Sequence, residues 1–343
     1  MKNKILKLIL FITTLFFGII IGIYLTNHKV GWTLIKNSFF DTYQNDAKDK
    51  WGNEFDIVNI ESSVDKTIQK SYSYKSKSLK SQPLIVSLHT WSGDYAQYDA
   101  LAQLCLRKDI NYIHPNFRGP NNTQYACSSE LVLSDIDDAI SYAIENFNVD
   151  TSQIFVIGLS GGGYATLSTF MKSKHKIRKF SAWASISDLI SWHNESEIRN
   201  TIYAQNILDC TESKNKLNIQ IAKRKSPIYW HTPVEKLKNQ ELHIFAGVYD
   251  GIKGCVPITH SINFYNKLLT DLYVEDSTKY VTLNDKLNLL ENRKSLGEYG
   301  RIADRDIFFK KEYQNISLTI FDGDHEMLTE FAFNHLLNTS NED

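Results

Sequence analysis

The chain has 343 residues, 42% hydrophobic and 12% aromatic, with 38 basic against 39 acidic side chains. That composition excludes disorder as the main state, and a net charge of −1 without a long basic run argues against a nucleic-acid partner. A mean hydropathy of −0.31 excludes a polytopic membrane protein, and four cysteines with no C-x-x-C pair argue against a structural zinc site.

The front end departs from this evenness. Lys2, Lys4 and Lys7 precede an apolar run over 8–25, broken only by Thr13, Thr14, Gly18, Gly22 and Tyr24. At about 1.5 Å per residue the run is about 27 Å long, close to the hydrocarbon thickness of a bilayer. No small-x-small cleavage site follows it. The reading is a cytoplasmic lead over 1–7, an uncleaved anchor over 8–25 and a juxtamembrane segment over 26–53. Lysines ahead of the run place the body outside, periplasmic or extracellular, although Lys29 and Lys36 weaken the bias. Secretion after signal cleavage is the alternative.

Alternation of apolar and polar residues over 55–60 and 67–72 predicts an antiparallel hairpin. After Pro83 come short continuous apolar runs at 84–88, 111–114, 153–157, 179–186, 241–246 and 318–321. Helical patterns fall between or after them, near 96–107, 131–147, from 162, 258–269 and from 326. Buried strands alternating with helices call for an α/β domain, a mostly parallel sheet flanked by helices, over 54–338. Two polar stretches interrupt the alternation: 188–237 is read as a cap over the carboxyl edge, and 270–314 as a peripheral insertion.

The sharpest chemical signal is Gly158-Leu159-Ser160-Gly161-Gly162-Gly163, directly after a buried strand and opening a helix. A serine on so tight a turn is strained, with its hydroxyl presented and glycines allowing close packing beside it. The pattern does not fit G-x-G-x-x-G and lacks the Gly-Lys-Ser/Thr of a P-loop. A serine hydroxyl needs a base, and the base needs an orienting acid. His325 stands in a loop between the last strand and last helix, whereas His260 and His335 lie within helices. Asp250 follows a buried strand; Asp188, Asp322 and Asp324 are its competitors. Two N–H donors must meet the tetrahedral oxyanion. Gly161 supplies one, and Trp91, or alternatively Thr90, the other. The Trp91 side chain reads equally as core packing or as a pocket wall, and Trp192 and Trp230 in the cap could shape the substrate site. Cys127 and Cys210 lie in loop-like sequence and are the favoured disulfide among three complete pairings. Cys105 reads as packing, and Cys255 lies close behind Asp250. No metal or organic cofactor is expected, since the histidines and carboxylates lack ligand spacing.

Taken together, these residues resemble an α/β-hydrolase, and more narrowly the catalytic domain of prolyl-oligopeptidase-type serine peptidases, over about 55–335. The resemblance rests on Gly158–Gly163, on Gly247-Val-Tyr-Asp-Gly251 with Val256-Pro257 and His260-Ser261, and on Gly323-Asp-His-Glu326. Leu88-His-Thr-Trp-Ser-Gly-Asp94 and Pro115-Asn-Phe-Arg-Gly-Pro-Asn121 are similar to a bacterial subgroup carrying this domain without a propeller. In such relatives the Phe-Arg-Gly loop lies beside the oxyanion strand, so Arg118 is expected to brace the site, to meet a substrate carboxylate or, equally, to be a surface or structural arginine. The resemblance implies acyl transfer to water on a peptide or ester substrate. A carboxylesterase, a transfer to a sugar acceptor and a catalytically silent exported binding module are the alternatives. Oligomeric state is not legible.

Overall fold

A computed structural model of the chain describes residues 50–338. The expected anchor over 8–25 lies outside the described residues; among those described, no helix is long and apolar enough to cross a membrane. The chain divides after Gly52 into two units, and all elements below belong to the second.

The expected hairpin is β1 (Asp56–Glu61) and β2 (Ile68–Tyr74), paired antiparallel. Next come β3 (Gln82–Leu88), α1 (Ala100–Lys108), β4 (Asn111–Pro115), α2 (Glu130–Asn146), β5 (Val149–Leu159), α3 (Gly161–Lys172) and β6 (Lys179–Trp183). The chain then forms α4 (Leu189–Ile198), α5 (Ile202–Cys210) and α6 (Ile219–Arg224) before β7 (Glu241–Gly247) and α7 (Thr259–Asp271). It ends with α8 (Leu283–Glu291), β8 (Arg301–Ile302), β9 (Arg305–Tyr313), β10 (Ile316–Phe321) and α9 (Thr329–Leu337). Helix starts follow their caps: the Asp99 carboxylate takes the Leu101 amide, so α1 begins at Ala100 and not at 96, and Ser129 caps α2.

The ten strands form one sheet in the order β1-β2-β4-β3-β5-β6-β7-β10-β9-β8. From β4 to β10 every pairing is parallel; the outer pairings are antiparallel. The central strands are buried on both faces: Leu84, Ile85, Val86, Val156, Ile157 and Ala182 have no or almost no exposure. Continuous apolar runs are the signature of such strands. Helices α2, α3 and α7 cover one face, and α1 and α9 the other. All parallel strands therefore point their carboxyl ends at the same edge, where loops carry the chemistry.

The 270–314 stretch is not merely peripheral. Its β9 pairs antiparallel with β10 and extends the sheet, alternating buried Ile307 and Phe309 with more exposed neighbours. The 188–237 stretch forms α4, α5 and α6, whose buried residues make a second apolar cluster with Trp91, Cys127, Tyr164 and Val256. The Cys127 and Cys210 sulfurs are bonded, joining α5 to the loop ahead of α2. Lys225 adds to this seam by donating to the carbonyls of Gln124 and Ala126, the latter at 3.0 Å.

Candidate active site

Ser160 occupies the junction of β5 and α3 with φ 59° and ψ −116°. That conformation is costly for a residue with a Cβ and persists only where the surroundings enforce it. Here the Ser160 amide donates to the Trp183 carbonyl on β6 at 2.9 Å, and its carbonyl receives the Tyr164 amide, starting the helix. The turn is further pinned by contact with the loop after β3. A Cβ on Gly161 would lie 2.2 Å from the Trp91 nitrogen and 2.4 Å from its Cα, so only glycine permits that approach.

The Trp91 and Gly161 backbones are thus neighbours, as an oxyanion hole requires. The Thr90 amide, the alternative donor, is already committed to the Gln97 side chain at 3.0 Å. Trp91 is held from its other side, because its carbonyl accepts the Asn121 amide at 2.8 Å. His89 anchors the same loop: its ring nitrogens lie 2.9 and 2.8 Å from the carbonyls of Thr90 and Asn116, and its ring stacks on Phe117.

At the other side of the edge, the Asp250 Oδ2 accepts the His325 Nδ1–H at 2.7 Å. Its Oδ1 accepts the amides of Gly251 at 2.8 Å and Val256 at 3.1 Å. The Asp250 carboxylate is fully buried, while His325 keeps some exposure. The β7 and β10 loops interlock, with the Tyr249 amide donating to the Gly323 carbonyl at 3.0 Å. Burial works to lower the His325 pKa, but the hydrogen bond to Asp250 and the Cys255 thiol, together with their charges, outweigh it and raise it to about 10.

Two of the competing carboxylates and both competing histidines are occupied elsewhere. Asp188 caps α4 through the Ile190 amide and accepts the Tyr229 hydroxyl. Asp324 pairs with Lys253. Burial pushes His260 down to about 4, and its Nδ1 takes the Ser187 amide. Burial also pushes His335 down to about 3, among His243, Phe245 and Phe331.

The expected substrate contacts fare unevenly. Arg118 braces the fold: its guanidinium reaches Asp65 at 2.6 Å, Asp135 at 2.5 Å and Ser62 at 2.9 Å, which uses both faces of its donor fork and corrects the carboxylate-binding alternative. Trp230 carries Lys172 over its ring and donates its indole N–H to the Arg224 carbonyl at 2.9 Å. Trp91 and Trp192 are 2% and 1% exposed and meet edge to face at 4.6 Å, so their rings support the site from behind.

Sequence reasoning missed the residues gripping the acid loop. Arg199, at the end of α4, donates to the carbonyls of Gly251 and, at 3.2 Å, Gly254. The Trp192 indole donates to the Cys255 carbonyl at 2.9 Å. The only signal was the closeness of Cys255 to Asp250; Arg199 left none, because a polar helix end reads as surface. Among the described residues no cluster of His, Cys, Asp or Glu could hold a metal.

The parallel sheet, the serine turn leaving its central strand and the acid–histidine pair across the same edge define an α/β-hydrolase. No curated protein sequence matches the chain. Residues 96–280, more than half of it, match the prolyl oligopeptidase family, and the chain belongs to that family. Among solved structures, the acylaminoacyl peptidase of Pyrococcus horikoshii superposes with a TM-score of 0.55 at 17% identity, over 82% of this chain and 40% of that one. A puromycin-hydrolyzing peptidase of Mycobacterium tuberculosis gives 0.55 at 12%, over 84% and 38%. Prolyl oligopeptidase B of Galerina marginata gives 0.51 at 15%, over 64% and 32%. At these identities the likeness is one of fold, and the chain spans 40% or less of each relative's length.

Proposed function

We propose that the protein is a serine peptidase that cleaves peptide or amide bonds through an acyl-enzyme on Ser160. His325 takes the Ser160 proton at Nε2 as the hydroxyl attacks the carbonyl carbon, and returns it to the leaving amine. Asp250 holds the imidazole in the tautomer with the proton on Nδ1 and stabilises the imidazolium that forms. The amides of Gly161 and Trp91 receive the oxyanion, and water then releases the acyl group by the same steps in reverse roles. The observation that carries this reading is the 2.7 Å bond between His325 and a buried Asp250 whose second oxygen is fully engaged by backbone amides. Such a carboxylate has one remaining task, to orient the base.

The test is fluorophosphonate labelling of the full chain. Ser160 should carry the adduct, and Ser160→Ala should lose it; a folded wild-type protein that resists every such probe sinks the proposal. Aminoacyl and peptidyl amides tested beside acetyl and feruloyl esters separate peptidase from carboxylesterase, and exclusive turnover of esters would replace the reading. The proposal includes an anchor over 8–25, so the labelled band should stay with membranes through alkaline extraction; its appearance as a shortened soluble species would mean cleavage.

A further inference from the structure

His325 has two claimants for one nitrogen. Its Nδ1 is bound by Asp250, so Nε2 alone can serve a nucleophile, and in this structure Nε2 lies 3.8 Å from the Cys255 sulfur. Sulfur contacts are longer than oxygen ones, and this is the geometry of an S–H to imidazole pair. Cys255 is a free, partly exposed thiol, whereas the other free cysteine, Cys105, is fully buried in α1. The thiol is aimed by its surroundings. The Trp192 indole and the Arg199 guanidinium hold the carbonyls of Cys255 and Gly254. A Cβ on Gly254 would lie 2.3 Å from Asp250 Oδ1 and 2.5 Å from His325 Cβ, so the segment is pressed against the acid–base pair itself. Tyr203 of the cap and Cys255 pack against the same apolar cluster. The other charges around His325 are paired, Lys253 with Asp324 and Arg305 with Glu326.

We propose that Cys255 is a thiol-modification site inside the active centre that takes small disulfides by exchange, with His325 as its base. Nε2 accepts the thiol proton, and the thiolate attacks one sulfur of the disulfide. A new S–S bond forms at Cys255 as the old one breaks; the departing thiolate carries the electron pair away and takes up a proton from water. The Cys255 sulfur is oxidised and the leaving sulfur reduced, so the exchange needs no other oxidant. The adduct then occupies the space beside Nε2 and keeps Ser160 from its base. This last consequence rests on the hydrolase reading above; the exchange does not.

The experiment uses the full chain and 5,5′-dithiobis(2-nitrobenzoate), which releases a coloured thiolate for each exchange. One thiol should react rapidly in the folded protein and peptide mapping should place the adduct on Cys255, with Cys105 reacting only after unfolding. Loss of the base in His325→Ala, with His325→Gln as a second variant against misfolding, should slow the exchange about tenfold. Fluorophosphonate labelling of Ser160 should fall at least about tenfold in the modified protein and recover once a mild thiol removes the adduct. Labelling of Cys255→Ala, compared with its own untreated level, should not respond to the reagent. An adduct elsewhere, unchanged exchange in both histidine variants or full labelling of the Cys255 adduct would each overturn the proposal. Untreated protein that exchanges at Cys255 yet never labels at Ser160 would instead break the hydrolase reading.

Discussion

The two sides of the sheet edge are built differently. The nucleophile side is positioned by backbone: a strand, a turn with positive φ, a helix, and glycine-permitted contact with the Trp91 loop. The acid side is positioned by side chains from the cap, chiefly Arg199 and Trp192 on α4, which hold the carbonyls of residues 251, 254 and 255. The difference separates a rigid element from a loop whose geometry depends on another region. Changes in the cap should therefore disturb the base and acid while leaving the serine turn in place.

The sharpest break of the comparison is Asp250→Asn. It should lower kcat/KM about 10⁴-fold with folding largely retained, because the amide favours the wrong histidine tautomer. It also removes the bond and charge that raise His325. The base acts only when deprotonated, so the pH of half-maximal residual activity should move downward, which a pH–rate profile measures.

Cutting the seam between cap and core tests stability. Cys127 and Cys210 are separated by 83 residues, and replacing both with alanine should cost about 2–4 kcal/mol of stability, read by denaturant unfolding. An unchanged midpoint would mean that Lys225 and the apolar seam hold the cap without the bond.

Arg199→Ala carries the smallest expected effect and the finest distinction. Arg199 positions the acid loop and touches no reacting atom, so kcat should fall about tenfold with KM little changed and with the pH limb displaced. Arg199→Lys should restore part of it. Equal loss in KM and kcat, with no change in pH profile, would mean a general loosening of the cap instead.

Much of the core was legible beforehand for one reason: a strand buried on both faces has to be continuously apolar, and a helix on such a sheet has to be amphipathic. Residues 84–88, 153–157 and 241–246 met the first condition, and the elements found there differ only at their ends. The helix starts moved because caps such as Asp99 set them. The antiparallel β9 was not legible, since an outer strand with one buried face and five charged residues out of nine carries little of that signal. The three cap helices were missed because they are short and set in a polar stretch, and their apolar positions make sense only against Trp91 and Val256.

Ser160, Asp250 and His325 could be named from local sequence, because each stands where a buried strand gives way to a loop and chain order limited the choices. What those residues are held by could not. Arg118 met Asp65 and Asp135, and Trp230 turned to Lys172, because partners distant in sequence became neighbours only once the strands were ordered. The sequence by itself determined the alternation of strands and helices and the residues at the strand ends, which depend on local hydrophobic period and turn chemistry. Tertiary structure alone decided the clamp by Arg199, the aim of Cys255 at His325 and the burial of Asp250, since hydrogen bonds between residues dozens of positions apart leave no local pattern to read.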